Sequence, residues 1–497
     1  MFYFSKSKYC DFRQCPKIPW LKKYKPEEYV LDAETQERFS AGNEVGDLAM
    51  GLFGEYVEVT SYKPDGSLDL DRMKELTRQY IAEGRENICE ASFDYQGLYC
   101  AVDILKKNGD GYDIYEVKSS TSPNKHVYIV DTSYQKYVLQ KCGVKVKNVY
   151  LVTINNKYVF DGKLDLSKLF KITEVTPLVG REIGSVEEIL KEVEKVMASK
   201  EEPAIGLSES CDKPYPCPFF GYCTRNLPSP SVFQLYNFGF KKQLGLYHRG
   251  IFSYEDVLKA GVALKGVQLL QVEHALEEKS AYIDKKGIEE FLQTLTYPLY
   301  FFDFESVMPV IPQYIGTKPN QQIPVQYSLH ILREDGTLEH REFLGRSEED
   351  PRRALAEQMV SDIPDDVCVL VYNKGFECGR IKELAATFPD LSGHLLKIEE
   401  HIKDLLVPFQ KGYYYNRDMG GSFSIKSVLP ALFPDDPELN YHNLEGVHNG
   451  NEAKELFPKL KDMPEKERAK AEHDLLKYCE LDTYAMVKVY EELKRVV

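Results

Sequence analysis

The chain has 497 residues, with a formal net charge of −15 at pH 7, 43% apolar residues and 28% charged residues. That length holds two to four domains, each able to bury a core. The acidic balance counts against a broad basic surface for sequence-blind nucleic-acid binding, although metal-binding carboxylates and local basic grooves fit within an acidic total. No apolar run reaches the roughly 18 residues of a membrane span, and Met1–Tyr9 lacks the apolar core of a signal peptide. A cytoplasmic location without membrane contact is expected. The eleven cysteines then read as thiols or metal ligands rather than disulfides. Cys89, Cys100, Cys142, Cys368, Cys378 and Cys479 are scattered and read as small buried apolar side chains.

From the N-terminus to about residue 225, strands mix with helical patterns. Gly97–Ile104 reads as a strand, Asn108–Gly109 as a hairpin turn, and Tyr112–Lys118 as the returning strand. Side chains two apart share one face of a strand, so Glu116 and Lys118 point the same way and the hairpin brings Asp103 alongside. A metal fits between Asp103 and Glu116, with Lys118 placed to polarise water or steady charge on a phosphate. The same residues, taken alone, also make an ordinary surface hairpin of alternating charge. Asp131–Tyr137 reads as the next helix. Cys211, Cys217 and Cys223 follow in a Pro- and Tyr-rich loop with C-x5-C-x5-C spacing. A closed zinc site or an iron–sulfur cluster needs a fourth thiol. Cys15, in Cys15–Pro16, supplies one, and Cys10 is the alternative. Asn226–Ser231 has the composition of a linker, and about 232–296 reads as helical with no strong strand.

From Tyr297 the pattern becomes β then α. Leu299–Phe302 is a buried-strand run. Further strands are expected at Val325–Leu332, Glu339–Leu344 and Val367–Tyr372, then a long helix over about 466–495. The first strand ends in Asp303–Phe304–Glu305, two carboxylates on one face that are costly to bury without a cation. Glu377 falls near the helix start that follows Val371–Tyr372–Asn373. Tyr478 and Asp482, four apart, share a face of the last helix. Acids from strand, helix start and last helix can surround a two-metal site, with ions about 3.5–4 Å apart, that clamps a phosphodiester. The Tyr478 hydroxyl can then position the attacking water.

These three C-terminal motifs resemble the tyrosine variant of the DEDD-type 3′–5′ exonucleases, over about 297–497. The resemblance implies a ribonuclease-H-like fold, Mg²⁺ or Mn²⁺ as cofactor, Asp303, Glu305, Glu377 and Asp482 as metal ligands, and Tyr478 as the residue orienting water. Glu377 stands where the family usually has Asp, which adds one methylene. Gly420–Lys426 resembles the loop before the last helices of that group, which implies contact with the substrate backbone. Asp103, Glu116 and Lys118 resemble the PD-(D/E)XK nuclease core, and Gln135 the Gln-containing motif of its RecB branch. That implies a restriction-endonuclease-like fold with Asp103 and Glu116 as metal ligands. The His usual in RecB-type enzymes is replaced by Gly46, within Gly42–Asp47, where Glu44 and Asp47 are the acidic neighbours. One cysteine before the core and three after it resemble the iron–sulfur nucleases of CRISPR adaptation and AddB-type helicase–nucleases, although those place the first two of the three closer together. The resemblance implies a 4Fe–4S cluster on Cys15, Cys211, Cys217 and Cys223, with zinc as the alternative, tying the two ends of the domain together.

The expectation is an α/β multidomain chain, with a RecB-like nuclease domain over 1–225, a helical middle over 226–296 and a ribonuclease-H-like exonuclease domain over 297–497. The expected activity is metal-dependent degradation of DNA, single-stranded or at 3′ ends, with RNA a further substrate class. Two alternatives are an active exonuclease beside a cluster-stabilised binding module, and a non-enzymatic nucleic-acid-binding scaffold or redox sensor.

Overall fold

An Asn-Gly turn, with Gly109 at φ 59°, folds Leu98–Asn108 back on Gly111–Lys118 as an antiparallel pair. Glycine takes that left-handed backbone without a Cβ penalty. This hairpin is central to the first of two compact units in the computed structural model, which describes residues 3–31, 33–123, 125–279 and 281–497. Met1 and Phe2 of the N-terminal stretch lie outside the described residues. The first unit comprises Met1–Asn226 and Val310–Gln321. Phe160 exchanges backbone hydrogen bonds with this second segment, through the Gly316 N–H and the Thr317 carbonyl.

The first unit is built on a seven-stranded mixed sheet of β1 (Phe4–Ser5), β2 (Val57–Glu58), β3 (Asn87–Tyr95), β4 (Leu98–Asn108), β5 (Gly111–Lys118), β6 (Val146–Ile154) and β7 (Phe170–Glu174). The order is β2-β3-β4-β5-β6-β7, with β1 parallel to β4. Strands β3, β4 and β5 form an antiparallel meander, and β6 joins β5 in parallel after the helix His126–Lys141. Ile114 packs with Tyr134 and Val138 of that helix, whereas Tyr115 and Val117 pack with Val45 and Val152 in another cluster. Both faces of β5 are therefore covered, and Glu116, with the parity of Ile114, is directed toward the helix.

The second unit comprises Leu227–Pro309 and Gln322–Val497. Its strands are β8 (Ala281–Ile283), β9 (Leu299–Val307), β10 (Ile323–Leu332), β11 (Leu338–Leu344), β12 (Cys368–Val371), β13 (Ile402–Asp404) and β14 (Tyr414–Asn416). A five-stranded sheet runs β11-β10-β9-β12-β13, antiparallel from β11 to β9 and parallel from β9 to β13. Every residue of β10 is buried. Tyr327, Leu329 and Ile331 enter the core with Leu355 and Met359, while Gln326 and Ser328 hydrogen-bond the long helix Glu465–Arg495 on the other face.

The stretch 232–296 carries short helices and the brief strand β8, whose three exposed residues show no alternation and which is paired by β14. One sequence expectation is corrected. Cys142 is exposed, unlike Cys89, Cys100, Cys368, Cys378 and Cys479, because it ends the helix His126–Lys141 at the surface. No helix among the described residues is long and apolar enough to cross a membrane.

Candidate functional site

In the second unit, Asp303 and Glu305 leave the same face of β9 toward the helix Glu465–Arg495, which carries Tyr478 and Asp482 about one turn apart. One carboxylate oxygen each from Asp303, Glu305 and Asp482 lies within 4.8 Å of the others. Glu377 sits in the first turn of the helix Gly375–Thr387, only 3% exposed, and its Oε2 is buried without a hydrogen-bond partner. The turn before it is held by Asp404, whose carboxylate accepts the N–H groups of Asn373 at 3.0 Å and Lys374 at 3.1 Å. Asn373 is left-handed, with φ 75°.

These acids are uncomfortable as anions. Burial, then Asp482, Glu377 and Glu305, push Asp303 well above the usual carboxylate range. Burial and Asp482 lift Glu305 to about 8, against Lys454 and Lys426. Glu377 also reaches about 8, through burial and Asp404. Burial raises Asp482, against hydrogen bonds from Tyr441 and Tyr478. The Tyr441 hydroxyl donates to Asp482 Oδ1 at 2.6 Å, and Lys426 Nζ donates to Tyr478 Oη at 3.0 Å. The backbone of Gly450 lines the cluster, since a Cβ there would stand 3.7 Å from Glu305 Oε2 and 3.8 Å from Tyr478 Oη. Clustered carboxylates, raised by burial and by one another and including an oxygen with no donor, suit a divalent cation.

A pH dependence follows. With Glu305 and Glu377 at about 8, the folded metal-free protein holds protons that the unfolded chain releases near the ordinary carboxylate range. Their contribution to stability is full below that range and is lost as pH rises through about 8. Melts in chelator are expected to fall between about pH 5 and pH 8, with Mn²⁺ restoring more at the upper end. A chelated second unit that grows more stable across that range would contradict this.

In the first unit, Asp103, Glu116, Lys118 and Gln135 come together as the sequence suggested. The Val117 N–H donates to Asp103 Oδ2 at 2.6 Å, Lys118 Nζ reaches Glu116 Oε1 at 2.6 Å, and Gln135 Nε2 donates to Glu116 Oε2 at 2.7 Å. Three further residues join them. Asp131 accepts from Lys118 Nζ at 2.7 Å and from Gln135 Nε2 at 2.9 Å. Lys6 Nζ lies 2.9 Å from Glu116 Oε1 and 3.8 Å from Asp103 Oδ1. Glu90 falls between the cross-strand pairs Cys89–Ile104 and Ala91–Val102, hence opposite Asp103, with φ 58°. Burial, then Asp103, lift Glu90 to about 8, while burial, Asp103 and Asp131 bring Glu116 to about 7. Against burial, Lys118 and Lys6 hold Asp131 low. At Gly46 a Cβ would meet nothing within 4 Å, so no packing demands glycine there.

The four predicted cysteines also converge. Cys15, Cys217 and Cys223 border a buried cluster of Ile18, Trp20, Leu21, Phe219 and Tyr222. The Cys217 N–H donates to the Cys211 carbonyl at 3.0 Å. Burial, then Cys211, Cys223 and Cys15, push the Cys217 thiol up to about 12. Gln14 Nε2 donates to the carbonyls of Ser210 and Tyr215, both at 2.9 Å, and Trp20 Nε1 to that of Ser199 at 3.1 Å. The first helices are thus tied to the cysteine loop around these four thiols.

Sequence reasoning did not single out Lys6, Glu90, Asp131, Tyr441 or Lys454, and it named Lys426 only within a loop. Glu90 had a signal, a lone charge inside Ile88–Phe93. Asp131 had another, four residues before Gln135 on one helix face. Lys6 and Tyr441 have no spacing relation to any motif and are brought in by the tertiary fold.

Fold and sites define a two-unit α/β protein with an acidic cluster in each unit and a four-cysteine group in the first. Residues 300–424 match a family described as a domain of unknown function, DUF2779. That segment contains Asp303, Glu305 and Glu377 and ends before Tyr478. The chain is also 28% identical over 222 residues to "Uncharacterized protein UU173" of Ureaplasma parvum serovar 3 (strain ATCC 700970), an overlap covering 40% of this chain and 31% of that protein. The match thus spans less than a third of the relative's own length.

Proposed function

We propose that the protein is a cytoplasmic metal-dependent nuclease whose second unit removes nucleotides in the 3′ to 5′ direction, with DNA as the main substrate. The observation that carries this reading is the convergence of Asp303, Glu305 and Asp482, with oxygens within 4.8 Å, beside the Tyr478 hydroxyl. The strand order β11-β10-β9-β12-β13, antiparallel then parallel, supports a ribonuclease-H-like class. The β3-β4-β5 meander, the helix His126–Lys141 and parallel β6 support a restriction-endonuclease-like class for the first unit.

Asp303, Glu305, Glu377 and Asp482 would hold Mg²⁺ or Mn²⁺, which when bound supplies Lewis acidity and neutralises phosphate charge. Tyr441 fixes one oxygen of Asp482 and so orients that carboxylate. Burial and the surrounding acids raise the Tyr478 phenol far above its usual range, so it keeps its proton. Tyr478 therefore orients the attacking water by hydrogen bonding and does not act as its base. Lys426, bonded to Tyr478, places positive charge where a phosphate develops negative charge. Tyr478→Phe is expected to lower turnover by roughly 10²–10³-fold while leaving Mn²⁺ affinity nearly unchanged. Equal losses in both would contradict a water-orienting role.

For the first unit, a specific observation favours a gripping role over a cutting one. Gly46 stands where the histidine of RecB-type enzymes is expected, and Lys6 at 2.9 Å and Lys118 at 2.6 Å lie against Glu116 Oε1. The four cysteines would hold a 4Fe–4S cluster or zinc that braces this module. Single-stranded DNA and RNA labelled at either end, incubated with Mn²⁺ or with chelator, test the whole reading. Shortening from the 3′ end that needs metal is expected. Shortening that persists in chelator would overturn it.

A further inference from the structure

A second group of metal-ligating side chains stands on the same sheet face as the acidic cluster of the second unit, and no motif of the sequence pointed to it. His330 on β10 and His340 on β11 are direct cross-strand partners, with ring centroids 4.5 Å apart. Glu480 reaches them from the helix Glu465–Arg495. One ligand atom each of His330, His340 and Glu480 lies within 4.8 Å of the others. We propose that these three residues form a binding site for a zinc-type transition-metal ion, distinct from the acidic cluster and independent of the nuclease reading.

The hydrogen bonds around the two imidazoles argue for ligation. His330 Nδ1 lies 2.8 Å from Thr483 Oγ1, Ser328 Oγ lies 2.7 Å from the same oxygen, and His340 Nε2 lies 2.9 Å from Ser328 Oγ. Thr483 Oγ1 donates to the Glu480 carbonyl at 3.1 Å. One proton arrangement satisfies every member. His340 Nε2–H donates to Ser328, the Ser328 and His330 Nδ1 hydrogens go to Thr483, and Thr483 donates to the backbone. That arrangement leaves the lone pairs of His330 Nε2 and His340 Nδ1 available. Metal-bound histidines are typically held in this way, the other ring nitrogen donating to a fixed neighbour.

Ligand chemistry separates the two sites. Two imidazoles and one carboxylate suit Zn²⁺ and its neighbours, whereas an all-oxygen set suits Mg²⁺ or Mn²⁺. Tetrahedral ligands with bonds of about 2.0–2.1 Å stand roughly 3.3 Å apart, so a small closure of the trio completes the site. Glu480 can make that movement. It is partly exposed, and its carboxylate pairs with Lys477 at 2.5 Å, an i,i+3 surface pair that is half exposed on the lysine side. Such pairs contribute little. An ion here fastens the β10–β11 hairpin to the helix two residues before Asp482, and so steadies Tyr478 and Asp482.

Cobalt(II) titration of the metal-stripped full chain tests this. Its visible d–d band reports tetrahedral imidazole and carboxylate ligation, without the near-ultraviolet charge-transfer band that cysteine ligation adds. Cobalt on the four cysteines brings its own charge-transfer band, so the site is read as the part of the spectrum that wild type and Glu480→Gln do not share: wild type and Asp303→Asn are expected to show a thiolate-free band in that difference and to lose it to Zn²⁺. His340→Gln and Glu480→Gln, both at partly exposed side chains, are expected to weaken it at least about tenfold. If His340→Gln fails to fold, Glu480→Gln decides. A wild type without the band, or a band unchanged in folded Glu480→Gln, overturns the proposal. A band lost in Asp303→Asn would assign the cobalt to the acidic cluster and overturn it as well.

Discussion

Asp303→Asn is expected to lower metal-dependent cleavage by about 10³-fold or more and, in chelator, to raise the melting temperature of the second unit. The two effects have one cause. Asp303 stands among Asp482, Glu377 and Glu305, each of which makes its ionised form less favourable. Asn has nearly the same shape without the charge, so it relieves burial cost and repulsion together. On the proposed function it also removes a metal ligand from a strand position. A residue kept only for packing would behave differently, because its loss would lower stability and leave any activity intact. The assay therefore reads cleavage and chelator melts on one sample. Unchanged cleavage, or a lower melting temperature without metal, would contradict the role given to Asp303.

On the proposal that the four cysteines hold iron or zinc, Cys217→Ser is expected to remove that metal and to unfold the region around Trp20. Cys217 borders the cluster that holds Trp20 and Phe219, and Trp20 is 5% exposed, with its indole N–H bonded to the Ser199 carbonyl. A structural metal contributes on the order of 10 kcal/mol, comparable to the roughly 5–15 kcal/mol that holds a whole domain. Without a metal, burial and neighbouring thiols hold Cys211, Cys217 and Cys223 neutral, and a small apolar cluster with the Gln14 hydrogen bonds is left to join the helices to the loop. The chain has one tryptophan, so its emission reports this region directly. A red shift with loss of metal is expected. Emission and metal content equal to wild type would contradict a metal-braced closure.

Much of this was legible because it rests on short-range rules. The Asn-Gly turn set the hairpin register and placed Asp103 beside Glu116 and Lys118. The two-residue period of β9 put Asp303 and Glu305 on one face, and the four-residue step of the last helix did the same for Tyr478 and Asp482. What escaped depends on long-range packing. Tyr441 lies in a short turn without periodicity, yet its hydroxyl holds Asp482 from 41 residues away. Lys6 meets Glu116 across 110 residues. His330 and His340 are neighbours only through the register of β10 with β11, which neither side chain announces. Cys142 read as buried because its residue type usually is, while its position at a helix end decided otherwise.

The central claim is that the second unit carries the exonuclease. Its most direct test is degradation of end-labelled single-stranded DNA with Mn²⁺ by wild type, Asp303→Ala and Glu116→Ala, each checked for folding. Stepwise loss from the 3′ end that disappears in Asp303→Ala and persists in Glu116→Ala is the predicted result. A wild type that leaves the DNA intact with metal present, or a ladder that survives Asp303→Ala, would contradict it.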